Sequence, residues 1–171
     1  MHSWVSRVDQ ALAVGAAVAM VAAFAAVALG VLARAAGWDI GGLDAYAGYA
    51  IAAALFLALP HTLRRQEHIR VSLLLDRLPA RTRGALEWWA LGAGFALALY
   101  LAVYAVRLVL TSREMHDVSQ GLDATPLWIP QLAMALGSAG LALSLADALW
   151  ARWRGRPYFL ERPGDEAGHA E

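Results

Sequence analysis

Four long apolar stretches occupy most of this 171-residue chain and leave little of it outside a bilayer. The first, residues 11–33, contains no charged or strongly polar side chain. At ~1.5 Å per residue it reaches roughly 34 Å, enough to cross a hydrocarbon core of ~30 Å with some tilt. A secretory signal has an apolar region of only about 7–15 residues, so this run reads as a retained helix. The second run, about 43–63, carries Tyr46 and Tyr49 near its start and Pro60 near its end. Proline removes a backbone donor, which predicts a change of direction where this helix leaves the membrane. The third, residues 88–106, follows Glu87 and ends at Arg107, and the fourth, residues 127–150, tolerates Gln131, Ser138, Ser144 and Asp147.

These runs predict an all-α membrane protein with transmembrane helices at about 9–34, 43–63, 86–108 and 126–151. They form a single four-helix domain over residues 1–171, with a flexible cytoplasmic tail at 155–171. Composition agrees. Hydrophobic residues make up 60% of the chain and charged residues 16%, whereas a soluble domain is nearer half apolar and a quarter charged. The absence of cysteine excludes disulfides, thiolate metal sites and a cysteine nucleophile.

A formal net charge of zero says little, because what matters in a membrane protein is where each sign sits. Arg7, Arg64, Arg65, Arg70, Arg77, Arg81, Arg83, Arg152, Arg154, Arg156 and Arg162 all fall on one side of the expected membrane. Only Arg34, Arg107 and Arg113 fall on the other. Arginine-rich short loops stay cytoplasmic, so both termini and the segment between helices two and three are expected inside. Trp88, Trp89, Trp150 and Trp153 mark the cytoplasmic boundary and Trp38 and Trp128 the outer one. Small residues recur four apart, as in Gly15/Ala19, Gly92/Ala96, Gly94/Ala98, Ala133/Gly137 and Gly140/Ser144. That spacing lets helix backbones approach closely in lipid.

Motifs for chemistry are sparse. No glycine-rich phosphate loop is present. His61 and His68 share a helical spacing, but His116 lies in the opposite loop, and His2 and His169 lie in the terminal segments. No single metal or haem centre can gather them across a membrane's thickness. Asp147 is the one carboxylate well inside an apolar run, and intramembrane acids are functional candidates by default. Its place near the cytoplasmic end, close to Arg152, favours local pairing or snorkelling over ion coupling. In residues 66–79, reading QEHIRVSLLLDRLP, Val71, Leu74, Leu75 and Leu78 form a helical stripe, with Ile69 and Leu73 off it. Two apolar surfaces suit a cytoplasmic connecting helix between lipid and a second protein. An apolar connector buried all round is the alternative.

The segment His68, Ile69, Arg70, Val71, then Leu74, Leu75, Asp76, Arg77, Leu78 and Pro79 resembles the small membrane subunit (DctQ-type) of tripartite ATP-independent periplasmic (TRAP) transporters. TPLWIPQLAMALG, residues 125–137, is similar to that family's proline-bearing start of helix four. The chain departs in having Gln66 and Glu67 where glycine often precedes the histidine, and Ser72 where an acid often follows the valine. The resemblance implies a non-enzymatic, multi-pass subunit of a bacterial inner membrane transporter, with no catalytic residue, metal or cofactor. Its implied partners are a large membrane subunit, a transiently docking periplasmic substrate-binding protein and lipid, with no nucleic acid. It would act as a static scaffold bracing the large subunit during ion-gradient-driven uptake of an organic acid. His68, Ile69, Arg70, Val71, Leu74, Leu75, Asp76, Arg77 and Leu78 become candidates for the large-subunit interface. Arg113, Glu114, Asp117 and Asp123, with Arg107, become candidates for a polar rim that meets the binding protein. A redox-complex anchor holding haem or quinone, and a stand-alone four-helix exporter, are the alternatives.

Overall fold

A computed structural model describes residues 2–38, 40–64 and 79–155. Among these the chain is helical: α1 His2–Ala35, α2 Leu43–Arg64, α3 Ala80–Glu114 and α4 Trp128–Trp153. All four are long and apolar enough to cross a membrane. No strand is formed among the described residues beyond an isolated bridge between Val118 and Pro126. The expected connecting helix after α2, and the tail beyond Gly155, lie outside the described residues.

The helices overrun the apolar stretches that announce them. α3 has 35 residues, a length of ~52 Å against a ~30 Å hydrocarbon core. Hydropathy marks only the lipid-facing part, whereas helical hydrogen bonding continues through Arg, Leu and Glu, which are good helix formers. The same overrun at the start of α1 draws Asp9 into the helix.

α4 is the central element. It packs against α2 on one side and α3 on the other, while α1 lies along α2 and only touches α4. Half of the most apolar window of α4 is buried, against 6% for α1. Apolar burial alone does not drive helices together in lipid, so close backbone approach has to come from small side chains. α3 meets α4 through Ala98, Ala102, Ala105 and Val109, all buried. Two apolar clusters form there, one of Ala98, Ala142 and Leu145 and one of Ala105, Val109 and Ala135.

The α2–α4 contact is tighter. Pro60 has no N–H, so the carbonyl of Phe56, four residues earlier, loses its helical partner. α2 nonetheless continues through Pro60 to Arg64. A Cβ placed on Gly137 would overlap that Phe56 carbonyl, so the α4 backbone sits directly on it. The approach suits a weak Cα–H···O contact. One turn on, a Cβ at Gly140 would overlap Leu12 of α1 and stand 2.9 Å from the Pro60 Cγ. By contrast, Gly92 faces nothing within 4 Å. Of the evenly spaced small residues, those on α4 therefore make the closest helix contacts.

Candidate functional site: a buried ionic cluster and a tied loop

At one end of the molecule α1, α2 and α4 meet through charge. The Asp9 carboxylate on α1 accepts a hydrogen bond from Ser144 Oγ at 2.8 Å. Its other oxygen lies 3.0 Å from Arg64 Nε. Arg64 Nη2 is 3.8 Å from an Asp147 carboxylate oxygen. Ser144 and Asp147 are three apart and so share a face of α4. Both acids are almost fully enclosed, with Asp9 and Asp147 each 2% exposed. A planar guanidinium can serve carboxylates through several nitrogens at once, which a lysine ammonium cannot do in the same geometry. Arg64 is also the last residue of α2, where the helix dipole favours a cation.

The structure corrects the expected pairing of Asp147. Arg152 instead bonds Glu87 of α3 at 2.6 Å and lies 5.8 Å from the Trp88 ring centre. Asp147 does not snorkel; it is enclosed beside Arg64. Asp9 and Arg64 escape sequence reasoning because each reads as a flank of an apolar run. The available signal was an acid before run one and an arginine after run two, both at the same end.

At the opposite end, the turn from Met115 to Leu127 folds back onto α2. Asp123 accepts hydrogen bonds from Ser119 Oγ at 2.9 Å, Tyr49 Oη at 3.1 Å and the Thr125 N–H at 3.3 Å. Thr125 Oγ1 donates to Tyr46 Oη at 3.2 Å. Backbone bonds from Ser119 N to Thr125 O and from Leu127 N to Asp117 O close the turn. Gly42, at φ +87°, lets the α1–α2 turn pass against Asp123, where an added Cβ would stand 3.0 Å from the Asp123 Cβ. Hydrogen bonds from Thr125, then Ser119 and Tyr49, hold the Asp123 carboxyl below the usual carboxylate range.

The candidate rim residues therefore divide. Asp123 is tied into the turn, while Arg113, Glu114 and Asp117 are exposed. Arg113 and Asp117 line a shallow pocket of about 320 Å³ with His116, Val118, Pro126 and Trp128. Arg113 sits 5.8 Å from the Trp128 ring centre. Arg107 does not join them; it lies over the Tyr104 ring at 5.5 Å. The candidate large-subunit residues His68, Ile69, Arg70, Val71, Leu74, Leu75, Asp76, Arg77 and Leu78 lie outside the described residues.

Residues 23–155 match the family model described as "Tripartite ATP-independent periplasmic transporters, DctQ component". No curated protein matches the chain. No solved structure matches it either.

Proposed function

The chain belongs to the DctQ component family of TRAP transporters, as its small permease subunit, and from that membership we propose that it is a static scaffold for the large transport subunit. In this reading the large subunit carries an organic acid inward on an ion gradient, after an extracytoplasmic binding protein delivers it. The small subunit performs no reaction and offers the substrate no path. It enlarges and anchors the body against which the moving part of its partner works.

The observation that carries the scaffold role is the cluster of Asp9, Arg64, Ser144 and Asp147. Charged groups in a membrane mark either a transport route or a fixed joint. These face one another across three helices, with Asp9, Ser144 and Asp147 buried and only Arg64 partly exposed, as suits a joint. The enclosed acids also speak against the stand-alone exporter, in which an acid must be reached by solute.

The scaffold has two working ends in this proposal. Residues 68–78, with both termini, face the cytoplasm and hold the large subunit. The Arg113, Glu114 and Asp117 rim faces outward and touches the binding protein, on a turn kept in shape by Asp123. Sidedness is open to a clean test because the chain has no cysteine of its own. A cysteine at Gln120 is expected to react with a membrane-impermeant maleimide in intact cells, and one at Ala170 only after lysis.

The decisive experiment is co-purification with the large subunit, followed by transport in vesicles containing that subunit with and without this chain. Recovery of the pair, and uptake that needs both, is expected. Full uptake by the large subunit alone would dismiss the scaffold. Charge reversal at Glu114 and Asp117 is expected to weaken docking of the binding protein; unchanged docking and transport would remove the rim from the proposal.

A further inference from the structure

We propose that the face of α3 turned away from α4 seats a transmembrane helix of the large subunit, against a ladder of Leu97, Tyr100, Tyr104 and Arg107. The inference rests on the scaffold reading and assigns that reading a specific surface. α3 turns Ala98, Ala102, Ala105, Val109 and Ser112 inward, and all are buried. On the reverse side, residues 97, 100, 104, 107 and 111 recur in alternating steps of three and four. That spacing keeps one seam facing one neighbouring helix.

The seam is open and already ordered. Leu97 is 70% exposed, Tyr100 61% and Tyr104 49%. The two tyrosine rings lie 4.4 Å apart, and Arg107 stands 5.5 Å from the centre of the Tyr104 ring. Neither tyrosine hydroxyl bonds another described residue.

Lipid is a poor neighbour for this surface. The exposed face of α1 shows the contrast: Val14, Val18, Val21, Phe24 and Leu32 carry no polar side-chain atom. Tyr100 stands ~18 Å along the helix from Trp88 and ~10 Å short of Arg107, which places it within the hydrocarbon. Helical side chains lean toward the N-terminus, so its hydroxyl is carried deeper rather than out to the Arg107 boundary. Hydrocarbon offers such a hydroxyl nothing to bond. A protein helix does, through a serine, threonine, asparagine or carboxylate, or a backbone carbonyl freed at a kink. The occupant is therefore a transmembrane helix with acceptors opposite Tyr100 and Tyr104 and an acidic group near the level of Arg107.

The test places the photoreactive residue p-benzoyl-phenylalanine at Leu97 or Thr111 on α3, both exposed on the seam, and at Val21 or Phe24 on α1, in the assembled transporter in native membranes. Crosslinks to the large subunit are expected from α3 and lipid adducts alone from α1. Capture of the large subunit from α1 and not α3 would overturn the inference while leaving the scaffold intact. A crosslinked pair of copies of this chain from Leu97 would overturn it likewise. Failure of both helices to capture the large subunit, together with failure to co-purify, would instead bring down the scaffold reading itself. Replacing both tyrosines (Tyr100→Phe with Tyr104→Phe) keeps the rings and removes the hydroxyls. Recovery of the large subunit is expected to fall about three- to tenfold for each interhelical hydrogen bond lost. Thermal stability of the isolated chain should not move. Unchanged recovery would overturn the assignment.

Discussion

The two ends of this molecule are fastened by different means. At the Arg64 end the fastening is ionic and enclosed, and it joins three helices through side chains far apart in sequence. At the Asp123 end it is a web of hydrogen bonds in a half-open turn, in which a single carboxylate gathers a serine, a tyrosine and a backbone N–H. Enclosed charge gives a joint that fails abruptly when one member is removed, because the remaining charges stay buried without their partner. A half-exposed turn loosens gradually, because water can replace each lost bond. The scaffold proposed above, firm within the membrane and meeting a visiting protein outside it, would be suited by that difference.

The largest effect is expected from Arg64→Met. It leaves Asp9 and Asp147 enclosed without their shared cation and should cost about 3–5 kcal/mol, read as a fall in thermal midpoint in detergent. Combining it with Asp9→Leu and Asp147→Leu should restore much of the loss, since well-packed apolar replacements of a buried ionic group are often neutral. If Arg64→Met alone is harmless, the contrast between the ends collapses.

Next is Gly137→Ala, whose added methyl would strike the Phe56 carbonyl. It should cost about 1–3 kcal/mol as overpacking, with Gly92→Ala as the silent control. At the other end, Asp123→Ala is expected to leave the thermal midpoint nearly unchanged while opening the turn to protease in intact cells. Protection of the wild-type turn has a defined pH window. A carboxyl held below its ordinary value contributes fully above about pH 4, and that contribution disappears only as pH falls through the lowered value. Cleavage of the turn should therefore stay slow through mild acid and rise only in strong acid. The smallest effect belongs to Asp44→Asn. Its 3.7 Å pair with Arg34 is largely exposed, and such pairs contribute about 0–1 kcal/mol and fade with salt.

Much of the architecture can be read from hydrophobic run length, because a bilayer demands it and little else produces it. The joints between the helices are harder to read. Asp147 is conspicuous in its apolar run, but the nearest arginine in sequence is the wrong partner. Residues 147 and 152 are five apart, which places them about 140° apart around a helix. The true partner arrives from another helix, and only packing reveals it. The evenly spaced small residues are visible to inspection, but only the three-dimensional arrangement separates Gly137 and Gly140, pressed against α2 and α1, from Gly92, which faces open space. Asp123 reads in the sequence as one more acid of a polar turn; its bond to Tyr49, 74 residues away, shows only in the packed structure.

Pro60 has one more consequence. It strips a carbonyl of its customary mate, and the bare backbone of Gly137 covers the vacancy from the neighbouring helix. Sliding α4 along α2 by even a residue would uncover that oxygen to hydrocarbon, where nothing can satisfy it. The proline therefore works as a notch and the glycine as its pawl, fixing the lengthwise position of one rod against the other.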